Sequence, residues 1–197
     1  MKILYALASY LLGSIPTGYL VFRLAGGRDI REYGSQSTGA TNVLRVKGVK
    51  YALPVAVFDV LKGFLPVFLA MRLLHDPVLA AVSGFLAAVG HCFPFAIGFR
   101  GGKGMATAVG AFAALSLRPC LASLGLFLLV IAVTRFVSLG SILAVLAFPV
   151  FLVLFGGAPT AALVCALALA ALVVFQHRGN IRRLLAGTER RIGERVA

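Results

Sequence analysis

Three polar, glycine-rich segments contain most of the side chains in this sequence that could do chemistry. The first, residues 34–45, reads GSQSTGATNVLR. Its small residues let the backbone approach a ligand closely, and its hydroxyls, Asn42 and Arg45 are donors suited to a phosphate or carbonyl oxygen. The alternative is a polar connector whose Ser and Thr cap a helix and whose bases contact anionic lipid headgroups. The density of small and polar residues in so apolar a chain favours a binding site.

The second segment, residues 90–107, reads GHCFPFAIGFRGGKGMAT. It is typical of a phosphate-binding loop that leads into a helix N-terminus, where free N–H groups and the positive end of the helix dipole would meet an anion beside Lys103. It is not a Walker A motif, because Ile97 stands where the leading glycine belongs and Gly104 where Ser or Thr would hold magnesium. ATP hydrolysis is therefore not indicated. Taken alone, the GGKG run is equally compatible with a flexible, positively charged loop.

The third segment begins at the end of the last apolar run and reads HRGNIRRLLAGTE. His177 and Asn180 are three residues apart in it, so they share one face of a helix. Positively charged residues that simply end a membrane span would explain the arginines, and we assign Arg182 and Arg183 to lipid headgroups. They would not explain Asn180 or Glu189. We therefore predict that His177 and Asn180 are functional.

Several other polar side chains lie within or beside apolar runs. Asp59 and Lys62 lie in the same apolar run. A charged side chain within the membrane is energetically costly, which indicates a function. The alternative is that the two residues neutralise each other as a structural pair. Ser138 and Ser141 could hold a ligand, although helix capping or interhelical packing explains them equally well. His91 could serve the site or pack against a neighbouring helix.

Membrane helices are the elements that must position these segments. The chain is 60% hydrophobic, with a mean hydropathy of +0.99 and only 13% charged residues. Its apolar runs are continuous and approach the roughly 17 to 25 residues that a helix needs to cross a bilayer. The predicted spans are 3–24, 52–74, 78–97, 104–117, 119–134, 138–156 and 160–176. We predict an all-α integral membrane protein of about seven transmembrane helices, or about six if 104–134 is one kinked helix, forming a single domain over 1–197.

Positive charge is distributed unevenly along these spans. A net charge of +13 would by itself suggest a nucleic-acid partner, but the hydropathy excludes that class. With the N-terminus outside and seven alternating spans, the outer side keeps only Lys2, Arg72 and Arg118, while the three glycine-rich segments face inward. The positive-inside rule then predicts a cytoplasmic site and C-terminus. The first run favours a span over a signal peptide because it is long and has no A-x-A cleavage signature.

The cysteines are isolated residues in or beside apolar runs. Cys92, Cys120 and Cys165 form neither a CxxC pair nor a metal-ligand spacing, so we interpret them as small core residues. Clustered acidic residues are also scarce. The sequence therefore predicts no metal site and no cofactor.

Taken together, the segments resemble the bacterial acyl-phosphate:glycerol-3-phosphate acyltransferases, the PlsY family, over nearly the whole chain. The matching elements are Gly13-Ser14-Ile15-Pro16-Thr17-Gly18, Gly39-Ala40-Thr41-Asn42 with Arg45, Gly90-His91 through Phe93-Pro94 to Gly101-Gly102-Lys103-Gly104, and His177, Asn180 and Glu189. Where the family usually has Gly-Ser-Gly-Asn, this chain has Gly34-Ser35-Gln36-Ser37, so any contact made by that Asn must be lost or supplied by Ser37.

The resemblance implies a seven-helix enzyme with a cytosolic site that makes lysophosphatidic acid from glycerol 3-phosphate and an acyl phosphate. It implies catalytic roles for Ser35, Arg45, His177 and Asn180. It implies phosphate binding by Gly101, Gly102, Lys103 and Gly104 and a structural role for Glu189. We further predict substrate or phosphate binding by Gly39, Ala40, Thr41, Asn42, Thr107 and Ser141, with His91 as structural support. The expected partners are the two substrates, membrane lipids of the bacterial inner membrane and the enzymes that make acyl phosphate.

An acyl phosphate is already activated, so the protein has to position the acceptor hydroxyl and neutralise two phosphates rather than supply a nucleophile. We expect Ser35 to donate a hydrogen bond rather than attack. The base is either His177 or the leaving phosphate, and the sequence leaves both open. A transporter for phosphate or organic anions is the alternative function, although no internal repeat is evident and the polar residues collect at one face. A metal-dependent phosphatidyltransferase is disfavoured by the shortage of clustered acids.

Overall fold

The computed structural model describes residues 1–156 and 159–194, and every regular element in these ranges is helical. The α-helices are α1 (Lys2–Gly13), α2 (Thr17–Leu24), α3 (Ala40–Lys47), α4 (Val49–Arg72), α5 (Pro77–Cys92), α6 (Met105–Leu115), α7 (Leu117–Thr134), α8 (Val137–Phe155), α9 (Thr160–Gln176) and α10 (Arg178–Leu185). Short 3₁₀ turns occupy Ile30–Glu32 and Phe95–Ile97.

Five apolar stretches within the described ranges are long enough to cross a bilayer: Lys2–Leu24, Val49–Arg72, Pro77–Ile97, Leu117–Thr134 and Val137–Phe155. α9 and α10 together make a further candidate that is bent by 59°. The helix α6 has 11 residues, which rise about 16 Å, roughly half the thickness of the hydrocarbon layer. The prediction of a multi-pass helical membrane protein is confirmed, while the count of seven spans stays a prediction.

The predicted spans follow the apolar helices closely, with one further break. Residues 104–134 form two helices, α6 and α7, which meet at Ser116, in agreement with the two spans predicted there and not with one kinked helix. The run 3–24 is interrupted between α1 and α2 at residues 14–16, because Pro16 has no N–H with which to continue the first helix. Hydropathy did not indicate α3 and α10, since both are short and rich in polar residues.

Small residues let the helices that carry the site pack with their backbones in contact. A Cβ atom at Gly110 of α6 would lie 2.0 Å from the carbonyl oxygen of Val60 in α4, and one at Gly63 would lie 2.0 Å from that of Thr107. Gly13 of α1 contacts Ala87 of α5 in the same way. In lipid this kind of close packing substitutes for the hydrophobic driving force available in water. The paired helices α4 and α6 therefore form a rigid wall beside the site.

A small separate core positions the first polar segment. Ile30 of the loop after α2 and Val43 of α3 are fully buried against Val55 of α4, with Phe22 and Ala52 completing the cluster. Apolar contacts on one face of α3 thus attach it to the membrane-spanning helix α4. The loop between Ile30 and Val43 is consequently held at the end of the bundle.

Candidate active site

One cavity of about 400 Å³ brings residues from all three polar segments together. The first segment contributes Ser35, Ser37, Gly39, Ala40, Thr41, Asn42 and Arg45, the second His91, Lys103 and Gly104, and the third His177, Asn180 and Glu189. Ser138 and Ser141 of α8 also line it. Residues separated by more than a hundred positions in the sequence therefore line the same cavity. Most of the predicted site residues meet, as the sequence analysis expected.

Glu189 is the centre of a buried hydrogen-bond network that we call the Glu189 network. Its Oε1 accepts from Ser138 Oγ at 2.8 Å and from Asn180 Nδ2 at 2.7 Å, and its Oε2 accepts from Arg183 Nε at 2.7 Å. These donors lower the pKa of Glu189 below its ordinary value although burial works to raise it. Glu189 is thus an ionised acceptor, and the role of structural support predicted for it remains our proposal.

The amide of Asn180 connects Glu189 to Lys103. Because Nδ2 donates to the carboxylate, Oδ1 faces the other way and accepts from Lys103 Nζ at 2.5 Å. Burial lowers the pKa of Lys103 to about 8, with further lowering by Arg183 and Arg45 and an opposing effect of Glu189. A cation already short of compensating charge is well suited to bind an anionic phosphate.

His177 lies at the junction of α9 and α10 with its ring buried against the cavity. Its Nδ1 is 2.7 Å from the carbonyl oxygen of Val173. A carbonyl can only accept, so Nδ1 carries the proton and Nε2 is left as an acceptor. Burial first, and then the charge of Lys103, lower the pKa of His177 to about 4. The imidazole is therefore neutral near pH 7 and offers an unprotonated nitrogen.

Asn42 organises the first polar segment. Its Nδ2 donates to the carbonyl oxygens of Tyr33 and Ser37 at 3.0 and 2.9 Å, with that of Ile30 at 3.2 Å, while its Oδ1 accepts from the N–H of Ser35 at 2.8 Å. The amide is thus occupied by loop contacts. Asn42 also lines the cavity, so the substrate-binding role predicted for it stays a prediction, while its contact with the N–H of Ser35 positions that residue.

The glycines of the second segment are placed differently from the expectation. The N–H groups of Gly101 and Gly102 donate to the carbonyl oxygens of Cys92 and His91 at 3.1 and 3.0 Å. They are therefore unavailable as the donors to phosphate that the sequence suggested, and neither glycine lines the cavity. A Cβ atom at Gly102 would lie 2.0 Å from Nε2 of His91, so these glycines allow the loop to pack on the end of α5.

Two helix N-termini, and not those glycines, line the cavity. The cavity is lined by Gly104, Met105 and Ala106 at the start of α6 and by the start of α3. The first N–H groups of a helix have no partner within the helix and lie at the positive end of its dipole. Thr107, also predicted to bind substrate, does not line the cavity. It is fully buried where α6 packs against Gly63 of α4.

The membrane-embedded charges form a compact cluster, of which Asp59 and His91 line the cavity. Lys62 Nζ lies 2.8 Å from Asp59 Oδ1 and donates to the carbonyl oxygen of Ile15 at 3.0 Å. Thr17 Oγ1 also donates to Asp59 Oδ1, and His91 Nδ1 lies 3.5 Å from the same atom. The geometry favours the interpretation of Asp59 and Lys62 as a structural pair, one that ties α2, α4 and α5 together.

The other end of the cavity is apolar and lies between α6, α7 and α8. Its walls include Val109, Phe112, Leu124, Phe127 and Ala144. Leu124 is also 37% exposed, so the cavity wall reaches the outer surface of the helix bundle. Cys120 lines this region, and all three cysteines are buried as predicted. The cavity therefore joins a cationic polar end to an apolar end, and sequence patterns alone did not locate the latter.

A smaller polar cavity of about 240 Å³, which we call the side cavity, shares Ser35, Arg45 and Glu189 with the first. Its other walls are Gly34, Gln36, Arg183 and Arg190. Arg183 pairs with Glu189 and does not have the lipid-headgroup role that its place in a basic run suggests. Arg190 was not singled out at all. Its only sequence signal is its position next to Glu189 in a run of basic residues.

Comparison with known proteins identifies the family. A family model described as glycerol-3-phosphate acyltransferase matches residues 3–187. A glycerol-3-phosphate acyltransferase of Prochlorococcus marinus (strain MIT 9215) is 44% identical over 195 residues, which cover 98% of this chain and 99% of that protein. One of Clostridioides difficile (strain 630) is 43% identical over 200 residues, covering 98% and 96%.

The fold is also similar to solved structures. The glycerol 3-phosphate form of PlsY (YgiH), an integral membrane glycerol 3-phosphate acyltransferase, superposes with a TM-score of 0.92 at 38% identity, covering 98% of this chain and 96% of that one. Its lysophosphatidic acid form gives a TM-score of 0.90. Agreement in sequence and in fold extends over nearly the full length of both proteins. This chain therefore belongs to the glycerol-3-phosphate acyltransferase family.

Proposed function

We propose that this chain transfers a fatty acyl group from acyl phosphate to the 1-hydroxyl of glycerol 3-phosphate, giving lysophosphatidic acid and inorganic phosphate. This is the first acylation of phospholipid synthesis. The observation that carries the proposal is the single cavity in which a cationic polar end meets an apolar end. Both substrates carry a phosphate and one carries a hydrocarbon chain, which matches the two ends. The family to which the chain belongs supports the same reaction.

The acyl phosphate occupies the length of this cavity in our proposal. Its hydrocarbon chain lies among Val109, Phe112 and Phe127, where burial of each CH₂ group contributes about 0.8 kcal/mol. Its phosphate lies beside Lys103 and the starts of α3 and α6, where a cation and unpaired N–H groups stabilise negative charge. As the acceptor attacks, the carbonyl oxygen gains charge, and Ser35 donates to it. The bond to the phosphate oxygen then breaks.

The proton of the acceptor hydroxyl goes to the departing phosphate in this scheme. With a pKa of about 4, His177 is a weak base, whereas the phosphate gains negative charge, and so becomes more basic, as its bond to the acyl carbon breaks. The phosphate is therefore the better proton acceptor, and the reaction is partly substrate-assisted. His177 contributes its unprotonated Nε2 as an acceptor that orients the hydroxyl. No covalent acyl-enzyme is needed, because the mixed anhydride is already activated.

We place the site on the cytoplasmic side of the bacterial inner membrane, with the N-terminus outside. The supporting argument is the positive-inside rule applied to the three basic, glycine-rich segments. We further propose that residues 1–197 act as one domain, since the cavity draws residues from position 35 to position 189. The reaction requires no cofactor. Its expected partners are the two substrates, membrane lipids and the enzymes that supply acyl phosphate, with no nucleic acid.

Purified protein in detergent tests this function directly. Acyl phosphate, acyl-CoA and acyl-carrier protein are offered in turn with glycerol 3-phosphate, and lysophosphatidic acid is measured. We expect turnover with acyl phosphate. Because no sealed membrane is present, turnover also excludes a transporter as the sole function. Absence of product with all three donors would overturn the proposal.

Two variants test the assigned charges. We expect Arg45→Ala and Lys103→Ala each to lower turnover by well over about tenfold, the loss typical of an oriented charge contact. Lys47→Ala is the matched control, because Lys47 is exposed, donates to the carbonyl oxygen of Ala25 at 3.3 Å and lines neither of the two cavities. Near-normal rates in both site variants would contradict the assigned site.

A further inference from the structure

The carboxylate of Asp59 makes more contacts than a neutralising pair with Lys62 requires. Its Oδ1 lies 2.8 Å from Lys62 Nζ, accepts a hydrogen bond from Thr17 Oγ1 and lies 3.5 Å from His91 Nδ1. We call these four residues the Asp59 cluster. Asp59 is 1% exposed, and a charged acceptor in so apolar a setting binds its donors strongly. Lys62 alone would balance the charge, so the contacts with Thr17 and His91 need a separate explanation.

Thr17 connects Asp59 to the first polar segment. It is the first residue of α2. The next residue, Gly18, packs so closely that a Cβ atom there would clash with the carbonyl oxygen of Thr38. Thr38 is buried in the same loop as Ser35, and hydrogen bonds within that loop fix its shape. A shift of the start of α2 would therefore displace the loop that carries Ser35.

The break between α1 and α2 is held by the same cluster. Lys62 Nζ donates to the carbonyl oxygen of Ile15 at 3.0 Å, directly before Pro16, which has no N–H with which to continue the helix. The motif around Pro16 is thus explained as a backbone break that brings Thr17 to Asp59. Both charged members of the cluster contact this break, so its position depends on them.

His91 connects Asp59 to the second polar segment. Its ring lies between the two, with Nδ1 facing Asp59 and Nε2 facing Gly102, where an added Cβ atom would clash with it. The carbonyl oxygen of His91 also accepts from the N–H of Gly102 at 3.0 Å. Lys103 follows directly in the chain and donates to Asn180. A rotation of the His91 ring would therefore displace the backbone that carries Lys103.

We propose that Asp59 is a positioning residue for acyl transfer, which aligns Ser35 through Thr17 and Lys103 through His91. This inference rests on the proposed function and adds to it a residue that acts through its neighbours. In that function Ser35 donates to the carbonyl oxygen of the acyl phosphate and Lys103 binds its phosphate. A misplacement of about 1 Å can cost about a hundredfold in rate. One buried carboxylate shared by two loops keeps both groups aligned on one substrate.

Thr17→Val tests the first connection, because it keeps the branched shape of the side chain and removes the donor to Asp59. We expect kcat to fall by about tenfold or more, with little change in the thermal unfolding temperature in detergent. Thr17→Ser keeps the hydroxyl and should restore most of kcat. An unchanged kcat in Thr17→Val, or an equal loss in Thr17→Ser, would overturn the proposal.

Ser9→Ala is the matched control for the loss of a hydroxyl. Ser9 is buried in the neighbouring helix α1, where its Oγ donates to the carbonyl oxygen of Tyr5 at 2.8 Å, and it lines neither cavity. Ser9→Ala should leave kcat unchanged. A loss equal to that of Thr17→Val would show that any buried hydroxyl matters in the same way, against a specific connection to Asp59.

His91→Phe tests the second connection. The Phe ring still fills the space against Gly102, but it has no nitrogen to place beside Asp59. We expect the KM for acyl phosphate to rise by about tenfold because Lys103 is displaced, with the KM for glycerol 3-phosphate unchanged. A purely structural role would lower the amount of folded protein and leave both KM values as they are. That result, or an equal rise in both, would contradict the proposal.

Removing both charges separates positioning from neutralisation. Asp59→Leu or Lys62→Met alone leaves a buried charge without its partner and should be strongly destabilising. The double variant leaves no charge unpaired, so it should unfold at a higher temperature than either single variant. We expect its kcat/KM for acyl phosphate to stay at least about tenfold below that of the unmodified protein, since Thr17 and His91 have lost their acceptor. Recovery of full activity would show that Asp59 only neutralises Lys62.

The unmodified protein distinguishes a failure of this inference from a failure of the function. If it makes lysophosphatidic acid and the double variant is equally active, the positioning role is wrong while the proposed function stands. If it makes no lysophosphatidic acid from any donor, the proposed function itself fails.

Discussion

Replacing Asn180 by Asp tests whether Glu189 sets the orientation of the amide that holds Lys103. The change keeps the shape of the side chain but turns Nδ2, which donates to Glu189 at 2.7 Å, into a carboxylate oxygen. Both residues are buried, with Asn180 4% and Glu189 8% exposed. Two carboxylates would then face each other at hydrogen-bond distance, with little water between them.

The cost can be worked out from this geometry. Two unit charges about 4 Å apart repel by about 4 kcal/mol at an effective dielectric constant of about 20, and these oxygens would be closer. The loss of a hydrogen bond to a charged group adds about 1.5 to 3 kcal/mol. We expect the protein to relieve the repulsion by moving the side chains or by protonating one carboxylate. Thermal stability in detergent should fall clearly, and turnover should fall by about a hundredfold or more because the new carboxylate pairs with Lys103 and neutralises the charge needed for phosphate.

The double variant Asn180→Asp with Glu189→Gln supplies a reversed set of donors and acceptors. The new Gln amide would donate to the Asp and to Ser138 Oγ, while its carbonyl oxygen would accept from Arg183 Nε. In either orientation of its amide, Glu189→Gln alone would place an N–H group against a donor, that of Asn180 or that of Arg183, and is expected to be destabilising. We therefore expect the double variant to be more stable than either single variant, with a coupling energy above about 1 kcal/mol. Activity should recover only in part, because an Asp beside Lys103 neutralises the charge needed for phosphate.

Thermal unfolding and acyl transfer rates measured on the same four proteins provide the assay. Two results together would contradict the argument: Asn180→Asp unfolds at the temperature of the unmodified protein, and the double variant is less stable than both single variants. The Glu189 network would then not determine the orientation of the Asn180 amide. Additive losses would lead to the same conclusion.

The remaining predictions concern Lys103 and the glycine loop. Since burial lowers the pKa of Lys103 to about 8, its charge is lost as the pH rises through that value, and kcat/KM for acyl phosphate should fall about tenfold per pH unit above it. Lys103→Arg should move this alkaline limb to much higher pH, and an unchanged limb would exclude Lys103 as its source. Gly102→Ala would place a Cβ atom 2.0 Å from His91 Nε2. It should therefore lower the thermal unfolding temperature, and it should reduce turnover by about tenfold or more. Gly125→Ala, where nothing lies within 4 Å of the added atom, should do neither, and equal effects of the two changes would refute the packing argument.

Much of the protein could be predicted from local patterns. The apolar runs determined that the chain forms membrane helices, because hydrocarbon admits only segments whose backbone hydrogen bonds are satisfied within themselves. Its polar segments stood out against that background, and Ser35, Arg45, Lys103, His177 and Asn180 all proved to line one cavity. The short helices α3 and α10 were missed, since their stability depends on contacts with the rest of the bundle rather than on hydropathy.

The function of individual polar atoms was decided only by the tertiary structure. The GGKG run suggested N–H donors for phosphate, yet the N–H groups of Gly101 and Gly102 are bonded to carbonyl oxygens at the end of α5. Asn42 had the chemistry of a ligand, but its amide is occupied by the loop that positions Ser35. Hydrogen-bonding capacity is a property of the residue type, whereas its use depends on which partner the fold brings within about 3 Å.

The same distinction applies to the charges. Sequence alone determined that the chain is strongly basic and that its few acids are scattered, which predicted an anionic substrate or an anionic membrane surface. It could not distinguish Arg183 and Arg190 from the arginines expected at lipid headgroups, because all of them lie in one basic run. Only the folded chain places these two beside Arg45 and Glu189, around a common space. Electrostatic interactions depend on distance in three dimensions, and residues far apart in sequence become neighbours only when the helices pack.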